Sequence, residues 1–305
     1  MIIVFGSNIL DLFFQQANLP EKDKAYHVDS HIEQPGGKGA NQAIAAARAG
    51  SKVNFYGALG EGGHGRQMYK NLAQNNIDIS GINFFDMPSG LATIFVDESD
   101  GTHRILVSQG ANLKAKQESI PEDVLNEKTI ALVQGELPID ETEKLITRVK
   151  KAGGKSVMNY APAIQPLSEN LLNNLDVIIL NEYEAEALGH QYNMDVKNKE
   201  QLARTLQEKF SLTSIITLGG DGAITATDSR ILKTPAIPIK PVDTVGAGDA
   251  FTGYICAALD RGETIENAVY EAGVAGSLTC LKIGAQTALP HKADVQKAIV
   301  AHKKQ

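Results

Sequence analysis

Short apolar runs alternate with amphipathic runs along most of the chain. Residues 2–6 form an apolar run, and a later segment places Ala40, Ala43 and Ile44 on one face of a helix. The last third of the chain has a helical pattern in three segments, 247–260, 264–280 and 292–302. Because strands that alternate with helices form βαβ units, we predict an α/β protein with a mostly parallel sheet and helices on both of its faces.

Two segments break this alternation. Residues 10–35 carry short alternating runs without a helical period, and residues 91–107 have the pattern of a hairpin whose turn is DESDGT, residues 97–102. Both segments fit strands with two different faces, so we expect them to leave the main body and form a small separate sheet. The sequence has no Pro/Ser-rich linker, low-complexity run or internal repeat, which predicts a single domain over residues 1–305.

Composition and charge argue against several classes of protein. Of the 305 residues, 43% are apolar, which is enough to bury a large core. The net charge of -7 and the lack of a long basic run argue against a nucleic acid or an anionic membrane as partner. The sequence has no apolar run of about 18 residues that predicts a membrane span, and its first residues lack the basic leader of a signal peptide. Cys256 and Cys280 lie in apolar segments, which fits reduced cysteines and a cytoplasmic location.

A glycine-rich turn in the last third of the chain carries the clearest chemical signal. The segment DTVGAGDAF, residues 243–251, places Gly246, Ala247 and Gly248 at the start of a helix and Asp249 in its first turn. The first amides of a helix lack intrahelical partners and favour an anion, and glycines let a phosphate approach them closely. A carboxylate beside a phosphate is useful when it faces the hydroxyl that attacks the phosphorus. Taken alone, the turn is more typical of a plain stabilised helix start.

A second glycine cluster, GGKGANQA at residues 36–43, opens the helix that contains Ala40. It is not a Walker A loop, because the spacing differs and no Ser or Thr follows Lys38, and it does not fit G-x-G-x-x-G. A third glycine-rich segment, residues 57–65, matches neither pattern and is interpreted as a plain loop. Spacing alone therefore assigns no function to these clusters.

Three motifs, in this order, are similar to those of the ribokinase-like carbohydrate kinases: GGKGANQA, NEYEAE at 181–186, and DTVGAGDAF. Shorter matches extend the resemblance over nearly the whole chain, and these are GANL (110–113), QGE (134–136), NYAPA (159–163), ITLGGDG (216–222) and KIGAQ (282–286). The resemblance implies a doubly wound α/β domain with a small β-sheet lid over a sugar. The lid would be formed by approximately residues 10–35 and 91–107, and such lids often pair two subunits into a homodimer.

The resemblance also implies a reaction. It predicts ATP-dependent transfer of a phosphoryl group to the primary hydroxyl of a pentose, with D-ribose and D-ribose 5-phosphate as the favoured substrate and product. Kinases of fructose, ketodeoxygluconate or a nucleoside are the alternatives in the same family. A sugar-binding module without catalysis is an alternative from another class, and a dinucleotide-dependent oxidoreductase is disfavoured because no fingerprint follows the first strand. Mg²⁺ and K⁺ are the implied ions.

Roles for individual residues follow from the resemblance. Asp249 is the expected catalytic base, and the amides of Gly246, Ala247, Gly248 and Asp249 form the anion hole. The expected sugar ligands are Asp11, Gly37, Lys38, Asn41, Glu136 and Asp249. Carboxylates suit this role because one carboxylate can accept hydrogen bonds from two adjacent hydroxyls. Without the resemblance, Asp11 would be a turn residue, Asn41 a polar residue in the first turn of a helix, and Glu136 an exposed loop acid.

The nucleotide and metal sites are assigned in the same way. The expected nucleotide ligands are Asn181, Thr217, Gly219, Gly222 and Gly248, and Glu184 is expected to position Mg²⁺ through water, a role that fits the preference of Mg²⁺ for retained waters. The simpler alternatives are that Asn181 caps a helix and that residues 219–222 form a turn. The expected monovalent-cation ligands are Asp243 and the carbonyl oxygens of Val245, Thr279, Lys282 and Gly284.

Three positions depart from the common family pattern. Ile9 stands where an asparagine is often found, so one hydrogen bond to the sugar is expected to be lost. Ala288 stands where a serine often completes the cation site, and Gly273 where a polar residue often meets adenine. These departures leave the sugar, the need for K⁺ and the adenine contact open.

Overall fold

The computed structural model describes residues 1–16, 23, 27–28, 30–97 and 103–302. Its strands are β1 (Ile2–Phe5), β2 (Ile9–Gln16), β3 (Ile32–Gly36), β4 (Val53–Gly60), β5 (Asp78–Phe85), β6 (Gly90–Asp97), β7 (His103–Ser108), β8 (Ile130–Gln134), β9 (Lys155–Asn159), β10 (Val177–Asn181), β11 (Thr213–Thr217), β12 (Ala223–Ala226) and β13 (Ile231–Thr234). Its helices are α1 (Lys38–Arg48), α2 (Gly63–Gln74), α3 (Ile139–Lys151), α4 (Glu169–Asn174), α5 (Glu182–Gln191), α6 (Lys199–Phe210), α7 (Ala247–Asp260), α8 (Ile265–Thr279) and α9 (Lys292–His302).

The large sheet has the strand order β13-β12-β11-β10-β9-β8-β1-β4-β5. All pairs from β11 to β5 are parallel, and β12 and β13 add an antiparallel edge. Side chains of one strand point alternately to the two faces, so Ile2 and Val4 of β1 enter one apolar cluster and Ile3 and Phe5 another. Helices α1, α7 and α8 cover the first cluster and α3, α5 and α6 the second. The predicted mostly parallel sheet with helices on both faces is confirmed.

A second, smaller sheet has the strand order β3-β2-β6-β7. Strand β2 runs parallel to β6 and antiparallel to β3, and β7 runs antiparallel to β6. Ile9, Ala92 and Ile94 form its own small apolar cluster. Both segments that break the strand–helix alternation contribute strands to this sheet, as expected. The turn predicted between β6 and β7 falls largely on residues 98–102, outside the described residues.

Some elements were not predicted from the sequence. Strand β5 is an edge strand in which only Ile82 is fully buried, so its apolar signal is weak. Strand β13 is also at an edge and has no fully buried residue. In the part of the chain that the structure describes, no helix is long and apolar enough to cross a membrane.

Candidate active site

The GGKG segment brings Asp11 of β2 against the start of α1. Gly37, the residue before α1, has a φ of 89°, a conformation that side chains other than glycine rarely adopt. A side chain at Gly36 would collide with the Asp11 carboxylate. The backbone N–H of Ala40 donates to the carbonyl oxygen of Ser7 over 3.0 Å, which ties the helix to the turn after β1. The glycines therefore allow strand, turn and helix to meet where Asp11 lies.

Four carboxyl groups, those of Asp11, Glu136, Glu184 and Asp249, lie near the ammonium group of Lys38. Glu136, just after β8, accepts a hydrogen bond from the Ser7 hydroxyl and another, over 2.9 Å, from the backbone N–H of Lys38. Burial, together with the negative charges of Glu136 and Asp249, raises the pKa of Asp11 to about 7. Burial also raises the pKa of Glu136. A cluster of carboxyl groups of this kind suits a ligand that is rich in hydroxyl groups.

Lys38 keeps its positive charge within this cluster. Burial alone would lower the pKa of Lys38, but the negative charges of Asp249, Glu136, Glu184 and Asp11 outweigh it and raise this pKa. The ammonium group is thus the counter-charge for the carboxylates that face it.

Asp249 lies in the first turn of α7, next to amides without partners. Gly246 precedes the helix with a φ of 80°, and the N–H of Ala247 donates to the carbonyl oxygen of Thr244 over 3.3 Å. Among the described residues, the N–H groups of Gly248 and Asp249 donate to no backbone or side-chain acceptor. The N–H of Gly246 has no acceptor there either, so three of the four amides expected to bind an anion are available and only that of Ala247 is engaged.

Both carboxylate oxygens of Asp249 are held by neutral amide groups. The side chain is only 8% exposed. Its Oδ2 accepts from Asn41 Nδ2 over 2.9 Å, and its Oδ1 accepts from Gln42 Nε2 over 2.9 Å. Asn41 Oδ1 in turn accepts from Gln286 Nε2 over 2.9 Å. The expected base is thus fixed beside the free amides and within the carboxylate cluster.

Sequence reasoning identified Asn41 but missed Gln42, its neighbour in the same motif. Gln42 is a polar residue on a helix face that is otherwise occupied by buried alanines. That position was the only available signal, because its partners come from distant parts of the chain.

A cavity of about 330 Å³ reaches from the turn after β11 to the start of α7. Four of the five expected nucleotide ligands line it, and these are Thr217, Gly219, Gly222 and Gly248. The segment 234–241 and apolar side chains such as Phe251 and Val269 complete the wall, and sequence reasoning did not identify them. Gly273 also lines the cavity, and a Cβ atom there would meet no atom within 4 Å. Gly248, whose backbone amide is free, is thus part of the cavity wall, and an anion in the cavity could bind there.

Asn181 and Glu184 form a capping box at the start of α5. Asn181 Oδ1 accepts from the backbone N–H of Glu184, and Glu184 Oε2 accepts from the backbone N–H of Asn181, both over 2.8 Å. Glu184 is buried, and burial raises its pKa. The helix-capping alternative for Asn181 thus describes its contacts, and its expected role near the phosphates stays a prediction.

Asp243 braces the turn that precedes α7. Its Oδ1 accepts from the N–H of Val245 over 3.0 Å, and its Oδ2 accepts from the N–H of Gly284 over 2.8 Å. The carbonyl oxygen of Thr279 already accepts from the N–H of Lys282 over 3.3 Å. No group of three or more His, Cys, Asp or Glu side chains in the described part of the chain could hold a metal ion. The carbonyl-based cation site at these residues stays a prediction.

The fold is that of a carbohydrate kinase. The sequence model described as pfkB family carbohydrate kinase matches residues 1–292, and the chain belongs to that family. The expected membership of the ribokinase-like carbohydrate kinases is thereby confirmed.

Relatives with known names lie in the same family. Ribokinase of Haemophilus influenzae is 35% identical over 84% of this chain and 84% of its own length. Ribokinase of Bacillus subtilis is 31% identical over 98% of this chain and 99% of its own length. Among solved structures, ribokinase from Thermotoga maritima is 29% identical, covers 98% of this chain and 99% of its own, and has a TM-score of 0.92.

One solved structure includes both ligands of such a reaction. Ribokinase from Arabidopsis thaliana, complexed with ribose and ATP, is 28% identical, covers 97% of each chain and has a TM-score of 0.88. Together with the family match, these relatives confirm the prediction of a carbohydrate kinase.

Proposed function

We propose that this protein transfers the γ-phosphoryl group of ATP to the primary hydroxyl of D-ribose, giving D-ribose 5-phosphate. One observation carries the proposal: Asp249, whose carboxylate is held by two side-chain amides, directly follows Gly248, which has a free backbone amide and lines the cavity. The carboxyl groups of Asp11 and Glu136 are near enough to Asp249 for its charge to raise their pKa values, and together they can hold a sugar by its hydroxyls. The relatives named ribokinase favour ribose among the sugars.

The proposal gives a role to each part of this site. The Asp249 carboxylate accepts a hydrogen bond from the attacking hydroxyl, orients it and takes its proton late in the transfer. The free amides donate to the equatorial oxygens of the transferred group, on which negative charge is spread. The cavity holds the nucleotide so that its terminal phosphate lies at the amide of Gly248. Lys38 compensates the charge of the carboxylates around the sugar.

The chain has residues that fit the two implied ions. Glu184 is a buried carboxylate beside the site, and a single carboxylate is sufficient for Mg²⁺, which retains most of its waters. When bound, Mg²⁺ neutralises charge on the phosphates. K⁺ would be held by Asp243 and the carbonyl oxygens of Val245, Thr279, Lys282 and Gly284, next to the turn that precedes α7.

The first test combines a substrate panel with one substitution. We expect a coupled ATPase assay to give a higher kcat/KM for D-ribose than for fructose, ketodeoxygluconate or adenosine. Asp249→Asn should lower kcat by about 10²- to 10⁴-fold, because the attacking hydroxyl loses its proton acceptor. Calorimetry of the variant with ribose should show retained binding. A wild-type protein that binds ribose without turnover would identify a sugar-binding module instead, and equal use of the panel would contradict the choice of ribose.

The raised pKa of Asp11 predicts a pH-dependent affinity for the sugar. Below about pH 7 this carboxyl is mostly protonated and accepts fewer hydrogen bonds, and above it the carboxylate accepts from two hydroxyls. The KM for ribose should therefore rise as the pH falls, measured at saturating ATP between about pH 6 and pH 9. Asp11→Asn should have a high KM at every pH, since its side chain does not titrate. A KM for the wild type that is independent of pH would contradict this assignment.

Ile9 predicts weak selection for one hydroxyl of the sugar. Ile9 and Asp11 are two residues apart on β2 and therefore point to the same face, where Ile9 packs against Ala92 and Ile94. An aliphatic side chain donates no hydrogen bond, so Ile9→Asn should lower the KM for ribose by about 3- to 10-fold. Ile9→Leu, which stays apolar, is the control and should leave the KM unchanged. An Ile9→Asn protein that is folded and has the KM of the wild type would refute this role.

The small sheet is proposed to serve as a lid that pairs with a second copy of the chain. Ile105, Leu106 and Val107 of the edge strand β7 are each more than half exposed, and Ile32 of the opposite edge strand β3 is 47% exposed. An apolar edge of this kind favours pairing with another chain.

The expected cytoplasmic location stays a prediction.

Light scattering after gel filtration tests this pairing. The wild type should elute as a dimer, and Leu106→Lys should shift it towards a monomer because a charge then replaces an apolar contact. Val300→Lys on α9 is the matched control, since Val300 is 55% exposed and lies outside the small sheet. A monomeric wild type, or a dimer that persists in Leu106→Lys, would refute a dimer through the lid.

A further inference from the structure

We infer that Gln42 is a positioning residue for the Asp249 carboxylate. It holds this carboxylate through a buried hydrogen-bond chain that continues to residues of the large sheet. This inference rests on the proposed role of Asp249 as the base. Gln42 itself is 0% exposed, so it is shielded from any bound sugar or nucleotide. Its effect on the reaction must therefore pass through Asp249.

All the polar atoms of the Gln42 side chain are engaged. Nε2 donates to Asp249 Oδ1 and to Asn159 Oδ1, each over 2.9 Å, and Oε1 accepts from Gln134 Nε2 over 2.9 Å. These three bonds fix the rotation of the amide group, because its two N–H donors and its oxygen all have partners. A fully satisfied buried amide of this kind has a single favoured orientation.

The partners of Gln42 are held by the central strands. Gln134 ends β8 and Asn159 ends β9, and the two residues are opposite each other in the parallel pair. Asn159 Nδ2 also donates to the carbonyl oxygen of Ile179, in β10, over 3.2 Å. Hydrogen bonds therefore connect Asp249 Oδ1, through Gln42, to three neighbouring strands at the carboxyl end of the sheet.

Asn41 and Gln42 hold the same carboxylate in different ways. Asn41 holds Oδ2, is 6% exposed and is an expected sugar ligand, so it can exchange Asp249 for a sugar hydroxyl. Gln42 holds Oδ1 and faces only protein. Gln42 is thus the contact that keeps the base in place when a sugar enters the site.

The close approach of α1 and α7 sets the distance between Gln42 and Asp249. Gly253 lies one turn after Asp249 in α7, and a Cβ atom there would lie 2.6 Å from the backbone oxygen of Gln42 and 2.8 Å from the N of Ala46. Glycine is required because any side chain would force the two helices apart. The same packing that brings the helices together brings the amide of Gln42 within hydrogen-bond distance of the carboxylate.

Two substitutions test the inference in the full-length protein, alongside the wild type. Gln42→Met keeps the volume and removes the hydrogen bonds, and it should lower kcat by about 10- to 100-fold, since a small misplacement of a reacting group is costly. The KM values for ribose and ATP should stay within about threefold, because the contacts to both substrates remain. Gln207→Met is the matched control: Gln207 is a buried glutamine of α6, away from this site, and its variant should keep the kcat of the wild type.

The kcat–pH profile of Gln42→Glu distinguishes a positioning role from a purely structural one. The glutamate keeps the size of the side chain and an acceptor for Gln134, but it places a second negative charge beside Asp249 Oδ1. Like charges favour the protonated form, so the acidic limb of the kcat–pH profile should move to higher pH, and activity should recover as the pH rises. The denaturation midpoint of each variant reports whether it is folded.

The outcomes separate this inference from the proposed function. A wild type without sugar-dependent turnover removes the proposed function and this inference with it. With an active wild type whose activity depends on Asp249, an acidic limb that does not move in folded Gln42→Glu overturns the role of Gln42 alone, even if Gln42→Met does not fold. A kcat for folded Gln42→Met within twofold of the wild type overturns it equally.

Discussion

The contact between the starts of α1 and α7 is the constraint on which this site depends. It brings Asn41 and Gln42 of one helix to the Asp249 carboxylate of the other, which is 8% exposed. A buried carboxylate is costly unless donors satisfy it, and here neutral amides do so without cancelling its charge. A lysine or arginine in direct contact would also have satisfied the buried carboxylate, but by pairing it with a positive charge.

The parallel sheet then explains why the other groups are close by. Strands β8, β9, β10 and β11 end at one edge, and Glu136, Asn159, Asn181 and Thr217 follow or end those strands. Parallel strands place their carboxyl ends together, so residues far apart in sequence meet at this edge. Asp249, in the first turn of α7, is near the carboxyl groups of Asp11 and Glu136, and its neighbour Gly248 lines the cavity.

Much of this arrangement could be predicted from the sequence, for local reasons. Buried parallel strands are short apolar runs such as residues 2–6, and the strands of the small sheet lack a helical period, so both sheets were expected. Asp11, Lys38 and Glu136 were identified because short motifs resemble those of a known family. Gln42 was not identified, because its role depends on hydrogen bonds with Gln134 and Asn159, which are more than 90 residues away in the chain. Edge strands such as β5 were missed because they bury few side chains.

Contacts within the chain hold the turn before α7. Asp243 accepts from the N–H groups of Val245 and Gly284, so the carboxylate already links this turn to the loop after α8. Gly246 then gives the backbone the positive φ that starts the helix. These contacts help to orient the free amides of Gly248 and Asp249. A monovalent cation held near this turn would add positive charge beside those amides and would favour a bound anion.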